Sequence, residues 1–489
     1  MENSDYLLRR NTIHSSWLIA LSSICLLIGV YLGQFTSIFS SATWLIISII
    51  LLIAGLNLRS RTLGMYILVL GGLLLGMQQG SSELRAQSAL QGFIGSSVEL
   101  QARVAEDPTI TPEGDTRLRL RDVTIDGQSY GGEVWTATRG SETRVRRSDI
   151  VRVRGLVSHG FGTIPAAMYR AQIIGVQSPE NADVARDARD WFSDNIRESV
   201  SDPQASLGAG FLLGQKTALP EKLDIELRLL GLTHIVVASG YNLSILVRYG
   251  RRMFERISRF SALALGGGLV FFFANITGFS PSMTRASIIT GLSLLAWYYG
   301  RKFHPLVLLS ISAAITVMIN PTYAWGDLGW LLSFTSFIGV IVLSPLIHSY
   351  FWGDKKANAV RQVTVETFSA QLLTLPLIML VFGAYSPLSL IANALILPLI
   401  PLAMLLTCIA GMAGVLLPSA VSQIIGWPAE FVMGYMTKIV DFLAQQPLAS
   451  REVQISTSVA ICMYVLLSSF IIFLWRRTGY RFREYNIVE

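Results

Sequence analysis

Charge is scarce in this chain. Only 15% of its 489 residues are Asp, Glu, Lys or Arg, against 52% hydrophobic, and the mean hydropathy is +0.50. A soluble domain carries about a quarter charged residues. The shortage excludes an ordinary soluble protein and indicates a polytopic membrane protein with one polar insert. Cysteine is nearly absent. Cys25, Cys408 and Cys462 each lie in an apolar segment, which excludes a disulfide framework and reads as small buried hydrophobes. The five histidines, His14, His159, His234, His304 and His348, are too far apart for a local HxxxH or HxHxDH zinc motif. There is no G-x-x-x-x-G-K-[ST] phosphate loop and no nucleophile–base pair. No catalytic residue, metal or cofactor is expected from these patterns, and nucleotide hydrolysis by that route is not expected.

Long apolar runs are what the chain has instead. The first, about Trp17–Phe39, is long enough to span a bilayer, and two more follow, so it reads as a retained span. The three runs, about 17–38, 42–57 and 63–79, form an N-terminal membrane region over 1–80. Gly72 and Gly76 in the third make a small-xxx-small pattern suited to close helix packing. Arg9 and Arg10 precede the first span, Arg59 and Arg61 lie between the second and third, and Gly33–Ser41 is uncharged. Positive residues stay in the cytoplasm. The N-terminus is therefore expected inside and the polar segment after the third span outside the cytoplasm.

That segment, 96–177, alternates apolar and polar residues, as in Val98–Val104, Arg117–Arg121 and Ile150–Arg154. Alternation means half-buried strands. Five are expected, at 97–105, 116–125, 130–138, 149–157 and 166–176, with turns at Asp126-Gly127, Gly131-Gly132 and Gly160–Gly162. Five short strands in about 80 residues fit a small barrel of the oligonucleotide/oligosaccharide-binding (OB) type. Eleven arginines stand against ten acids over 97–176, so a solvated face explains them as well as a nucleic-acid track does. Trp135, Tyr130 and Tyr169 suit either base stacking or packing.

Residues 184–204 read as an amphipathic linker. Val184, Ala188, Trp191, Phe192, Ile196 and Val200 form one face and Arg186, Asp187, Arg189 and Asp190 the other, as in a helix lying on the outer membrane surface. The chain is apolar again over 205–475, with candidate spans at 205–214, 230–247, 261–279, 283–299, 304–320, 328–349, 364–383, 388–403, 404–418 and 455–475. The amphipathic segment 421–446 suits the interface or the core. Basic clusters at Arg248–Arg259, Arg301-Lys302, Lys355–Arg361 and in the tail 476–489 fall on one side of this series. The sequence pI of 9.3 is thus largely a topology signal. Both termini are expected in the cytoplasm of a cell-membrane protein.

Four polar constellations sit where polarity is expensive. The first joins Phe211–Lys216 to the stretch GLTHIVVASGYNLSIL, with Arg228 just before it and His234, Ser239, Asn242 and Ser244 inside it. Ser239-Gly240 invites a helix break, whose freed backbone needs protein or water. Intramembrane polar groups mark function unless they only join helices. The second is Asn275–Ala286, where Gly278 and Pro281 break the helix, Ser280 caps the next and Arg285 lies one turn inside. Arg285 either snorkels outward or lines a path. The third runs from Asn320-Pro321 through Asp327 to Ser333-Phe334. Asp327 either caps a helix or pairs with Arg285. The fourth is Glu366, Gln371, Pro376, Asn393 and Pro398, where the prolines and the asparagine are expected to interrupt apolar helices.

Together these motifs resemble the ComEC family of DNA-internalisation proteins. The resemblance rests on His234-Ile-Val-Val-Ala-Ser-Gly-Tyr-Asn-Leu-Ser244, on Gly278-Phe-Ser-Pro-Ser-Met-Thr-Arg285-Ala, on Asn320-Pro321 to Asp327 with Leu332-Ser333-Phe334, and on the Pro376, Phe382-Gly383, Pro387-Leu-Ser-Leu, Asn393 and Pro398 series. It covers about 205–475, the family's competence domain. It implies a channel that carries one strand of transforming DNA across the cytoplasmic membrane, with an outer OB domain that receives it. Many members have a second histidine where this chain has Asn242, which weakens a metal or proton role there. Many also carry a C-terminal metallo-β-lactamase-like domain, whose His/Asp signature is missing here, so no enzyme activity is expected, and a separate nuclease and cytoplasmic DNA-handling motors are expected partners. Under this reading Lys216, Arg228, His234, Ser239, Asn242, Ser244, Arg285 and Asp327 are candidates for the DNA path, and single-stranded DNA and the bilayer are the partners. The competing readings are a transporter of another solute or polymer and a non-transporting membrane receptor or scaffold.

Overall fold

The computed structural model describes residues 15–58, 61–111, 114–139, 145–179, 182–215, 219–236, 240–301, 304–353 and 358–480. Helices α1 (Ser15–Gly33), α2 (Ala42–Asn57) and α3 (Arg61–Gln91) come first. Strands β1 (Ser97–Val104), β2 (Thr109–Ile110), β3 (Asp115–Ile125), β4 (Gln128–Tyr130), β5 (Val134–Arg139), β6 (Ile150–His159) and β7 (Ala166–Gln177) follow. Then come α4 (Val184–Ser199), α5 (Gln204–Leu213), α6 (Glu221–Leu229), α7 (Thr233–Val236), α8 (Gly240–Glu255), α9 (Arg259–Thr277), α10 (Pro281–Tyr298), α11 (Pro305–Ile319), α12 (Leu328–Ile338), α13 (Ser344–Trp352) and α14 (Ala359–Phe382). The chain closes with β8 (Ala384–Tyr385), α15 (Ser389–Ile396), α16 (Ile400–Leu416), α17 (Ser419–Ala444), β9 (Arg451–Glu452) and α18 (Thr457–Thr478). Among the described residues seven helices are long and apolar enough to cross a membrane, including a single 28-residue run, Ser389–Leu416, where the sequence suggests two spans. This is a multi-pass membrane protein with a small β domain.

Two compact units divide the chain. The first joins Met1–Pro179 to Phe303–Leu328, and the second joins Glu180–Lys302 to Gly329–Glu489. The first unit therefore takes α11 out of the middle of the membrane series, which a linear division at residue 205 does not capture.

In the first unit α1 and α3 pack in parallel along glycines. A Cβ on Gly76 would overlap Leu26 O, one on Gly80 would lie 2.5 Å from Val30 O, and one on Gly29 would overlap Leu73 O. With no side chains at the crossing, backbones approach closely and dispersion replaces a hydrophobic force that lipid cannot supply. The weak Gly72–Gly76 signal is thus a real contact, extended to Gly80. Helix α2 runs antiparallel to α3, with Gly55 against Leu68 and Gly71 against Leu52. Helix α3 is about 46 Å long at 1.5 Å per residue, more than the hydrocarbon core of about 30 Å. Its far end belongs to the β domain, where Leu90 joins the barrel core with Leu100, Leu120, Val153 and Met168.

The barrel closes. Its order is β1-β6-β7-β5-β3, with β3 pairing back to β1; β5 and β7 are parallel and the other pairs antiparallel. The strand expected at 130–138 is interrupted. Gly132 has φ +104°, outside strand geometry, so β5 begins only at Val134. The inward residues of β1, Leu100, Ala102 and Val104, are buried as the alternation demands.

Two further expectations change. Cys408 and Cys462 are exposed on their helices rather than buried. Pro376 lies inside the continuous helix α14 and Asn393 does not interrupt a helix either. Its amide donates to Ser389 O at 2.8 Å, one turn back within α15, and the irregularity is the 3₁₀ turn Leu397–Leu399 around Pro398.

Candidate polar site in the second unit

The first motif enters at Gly231, whose φ of +67° follows the end of α6. His234, on the one-turn helix α7, is exposed, and its Nδ1 lies 3.0 Å from Gly231 O. Helix α8 starts at Gly240. A Cβ there would come within 2.8 Å of Ala286 Cβ and 3.6 Å of Arg285 Nη2, so glycine is what lets α8 meet α10. Asn242 is fully buried and donates from Nδ2 to Phe211 O at 3.0 Å, tying α8 to α5. Ser244 Oγ donates to Gly240 O at 2.8 Å within its own helix. Lys216 and Ser239, with the break expected at Ser239-Gly240, fall outside the described residues.

The second motif is built as its residues dictate. Gly278 closes α9 in the left-handed region at φ +82°, Ser280 Oγ caps α10 by accepting from Met283 N, and Pro281 takes the first turn. Arg285 then sits inside the unit at 8% exposure. It donates from Nη1 to Ser333 O and lies over the rings of Phe334 and Phe337, at 5.7 and 5.1 Å. Ser282 and Ser333 hydroxyls meet at 3.3 Å. Arg285 therefore joins α10 to α12 through a carbonyl and two aromatic faces. Cation–π contacts of this desolvated kind are worth about 2 kcal/mol.

The fourth motif meets the first. A Cβ on Gly231 would lie 3.3 Å from Ser389 Oγ, which accepts from Gln371 Nε2 at 2.9 Å and Asn393 Nδ2 at 3.2 Å. Phe211, Gly231 and Gly240–Asn242 thus meet segments 278–286, 333–337 and 371–393 in one unit. Arg228 does not share this interior: it is exposed on α6 and ion-paired with Asp224 at 2.6 Å.

The third motif is split between the units. Asn320 caps the turn at Pro321 by accepting from Thr322 N at 3.1 Å. Asp327, immediately before α12, belongs with this turn to the first unit. Burial and then the charge of Asp327 push the Tyr323 phenol up to about 12. The Arg119 guanidinium of β3, which burial alone would lower, is held up by Glu133, Glu106 and Asp327. The charge of Asp327 thus acts on the β domain's own arginine.

One polar cluster escaped the sequence reading. The buried face of α4 carries Arg189 and Arg186, at 3% and 7% exposure, beside Ile196 and Val200 of the expected apolar face, while Val184 and Trp191 of that face are exposed. Ser193 Oγ donates to Gln215 Oε1 at 2.6 Å, Gln215 Nε2 donates to Asp190 at 3.2 Å, and Arg189 and Arg186 hold Asp190 and Asp187 at 3.0 Å. The available signal was the repeated Arg-Asp pair at 186–187 and 189–190, which puts charge on more than one face. Among the described residues no three His, Cys, Asp or Glu side chains are placed to hold a metal ion.

Residues 211–478, more than half of the chain and including every convergent segment above, match the family described as Competence protein. This chain belongs to that family. Within it the chain is 26% identical to Competence protein ComA of Neisseria gonorrhoeae over 299 residues, 57% of this chain and 41% of the relative. It is 20% identical to ComE operon protein 3 of Bacillus subtilis over 240 residues, 47% of this chain and 29% of the relative. The matches thus span well under half the length of these curated relatives. No solved structure matches the chain.

Proposed function

We propose that this Competence-family protein is a membrane channel that takes up DNA, passing a single strand across the cytoplasmic membrane. The observation that carries the reading is the convergence of four separated polar segments inside one apolar unit, within the stretch that matches the family. A polyanion needs sparse cations, hydrogen-bonding groups and weak multi-site contacts, since tight sites would trap it. His234, exposed and, among the described residues, hydrogen-bonded through a backbone carbonyl alone, suits such a contact better than Arg285, which is taken up in packing. The β domain is proposed as an outer OB-type receiver. Five main strands closing on themselves, with the third and fifth parallel, support that. No catalytic role is proposed, and degradation of the second strand is assigned to a separate nuclease.

The test is uptake of labelled DNA into a nuclease-resistant compartment. Cells with the gene removed should lose it, and His234→Ala should lower it at least tenfold with the protein at normal membrane level. Undiminished transformation in the deletion strain sinks the proposal.

A further inference from the structure

The depth of α4 follows from contacts inside the second unit. Strands β8 and β9 pair through Ala384–Glu452 and Tyr385–Arg451, so residues 384–385 and 451–452 lie on one side of the membrane. Between them the chain runs through α15–α16 and returns through α17 as an antiparallel hairpin, with Thr407 against Met433. The Ser389–Leu416 arm spans about 42 Å and has a mean hydropathy of 2.3. Its closed end, at 417–418, therefore lies across the bilayer from β8 and β9. Spans Val360–Phe382 and Thr457–Thr478 put Arg361, Arg476 and Arg477 at that same far side, which the positive-inside rule makes cytoplasmic.

Helix α4 packs beside that closed end. A Cβ on Gly411 would lie 2.5 Å from Phe192 Cζ, and Cβ atoms on Gly414 and Gly426 would overlap Asn195 O and Ser199 O. By Lys222 the chain is back at the open end, where Lys222 Nζ meets Asp441 at 2.6 Å and Gly231 meets Ser389. Helix α4 thus descends within the membrane thickness to the closed end, and α5 leads back. Its exposed side carries Asp187, Asp194 and Glu198, with Val184 and Trp191 on the same stripe. Asp187 and Asp194 are paired with Arg186 and Arg197 at 3.0 and 3.3 Å, whereas Glu198 has no ion-pair partner among the described residues. An unpaired carboxylate at that depth is not sustained by hydrocarbon and requires water.

We infer that α4 and α5 form a re-entrant pair, and that the Asp187–Asp194–Glu198 side of α4 lines a water-filled passage reaching the cytoplasmic end of the hairpin. If the channel reading above holds, this passage is part of the strand's path. The test uses the full chain with Cys25, Cys408 and Cys462 replaced by Ala. Single variants Asp194→Cys, Glu198→Cys and, as a lipid-facing reference at similar depth, Ile424→Cys are exposed to a charged, membrane-impermeant thiol reagent. In inverted vesicles the two α4 positions should react at least tenfold faster than Ile424→Cys. Reaction only from the outer face, or no contrast with Ile424→Cys, would overturn the re-entrant placement. A third arm adds single-stranded DNA to energised vesicles of the Glu198→Cys variant. Slower labelling places the strand beside α4. Unchanged labelling, with the α4 contrast intact, counts against the passage as the DNA route and leaves the re-entrant pair standing.

Discussion

Arg285 and His234 look alike in the sequence, each a cation-capable residue in an apolar run, but they have different surroundings. Arg285 is enclosed by Ser333 O, Phe334 and Phe337, so deleting it removes a join between two helices. His234 is exposed and, among the described residues, keeps one backbone hydrogen bond. Arg285→Ala should therefore cost about 2 kcal/mol and lower the thermal midpoint in detergent, whereas His234→Ala should leave the midpoint within error while reducing uptake. A drop in midpoint for His234→Ala equal to that for Arg285→Ala would refute the distinction. Asn242→Leu belongs with Arg285. It leaves Phe211 O without its buried donor, a loss of about 1–3 kcal/mol, read in the same melting experiment. The residue types were legible as out of place in lipid. Their division into structural and accessible groups was not, because it depends on which helix each one faces.

Among the elements, the period-2 barrel strands and the long apolar helices were readable because burial selects them directly. The role of α4 was not. An amphipathic pattern says that two faces differ in polarity, but it does not say which face is covered. Here arginines paired with their neighbouring aspartates are covered, and Trp191 is exposed. Nor did the pattern show that α11, between two second-unit helices in sequence, packs in the first unit. Glycines were legible as possible crossing points without their partners. Gly76→Leu would drive a side chain into Leu26 O at the α1–α3 crossing, destabilising by about 3 kcal/mol or more and depleting folded protein from the membrane. A Cβ on Gly267, in α9, would meet nothing within 4 Å, so Gly267→Leu should leave the protein at its normal level. Equal effects from the two substitutions, measured by quantitative blotting of membranes, would remove the assigned role of the crossing.

At the scale of the whole molecule, one short strand pair constrains the membrane topology of the last hundred residues. The β8–β9 pairing fixes two distant points on one side, so the number of crossings between them is even. Since Ser389–Leu416 is long and apolar enough to cross, α17 must cross as well. That holds although α17 carries Glu430, Lys438 and Asp441 and is not apolar enough to be read as a span from composition. Its 26 residues reach about 39 Å. Its exposed side is Ile424, Trp427, Phe431 and Phe442, a lipid-facing surface, while Ser422, Gly426, Ala429 and Met433 face the interior. In a cysteine-free chain, Ala384→Cys with Glu452→Cys should form a disulfide under mild oxidation, because paired strand positions lie within bridging distance. Leu417→Cys should then react with an impermeant reagent only from the face opposite to Glu452→Cys. Labelling of both positions from the same face would mean that α17 does not cross, and would remove the argument for the depth of α4 with it.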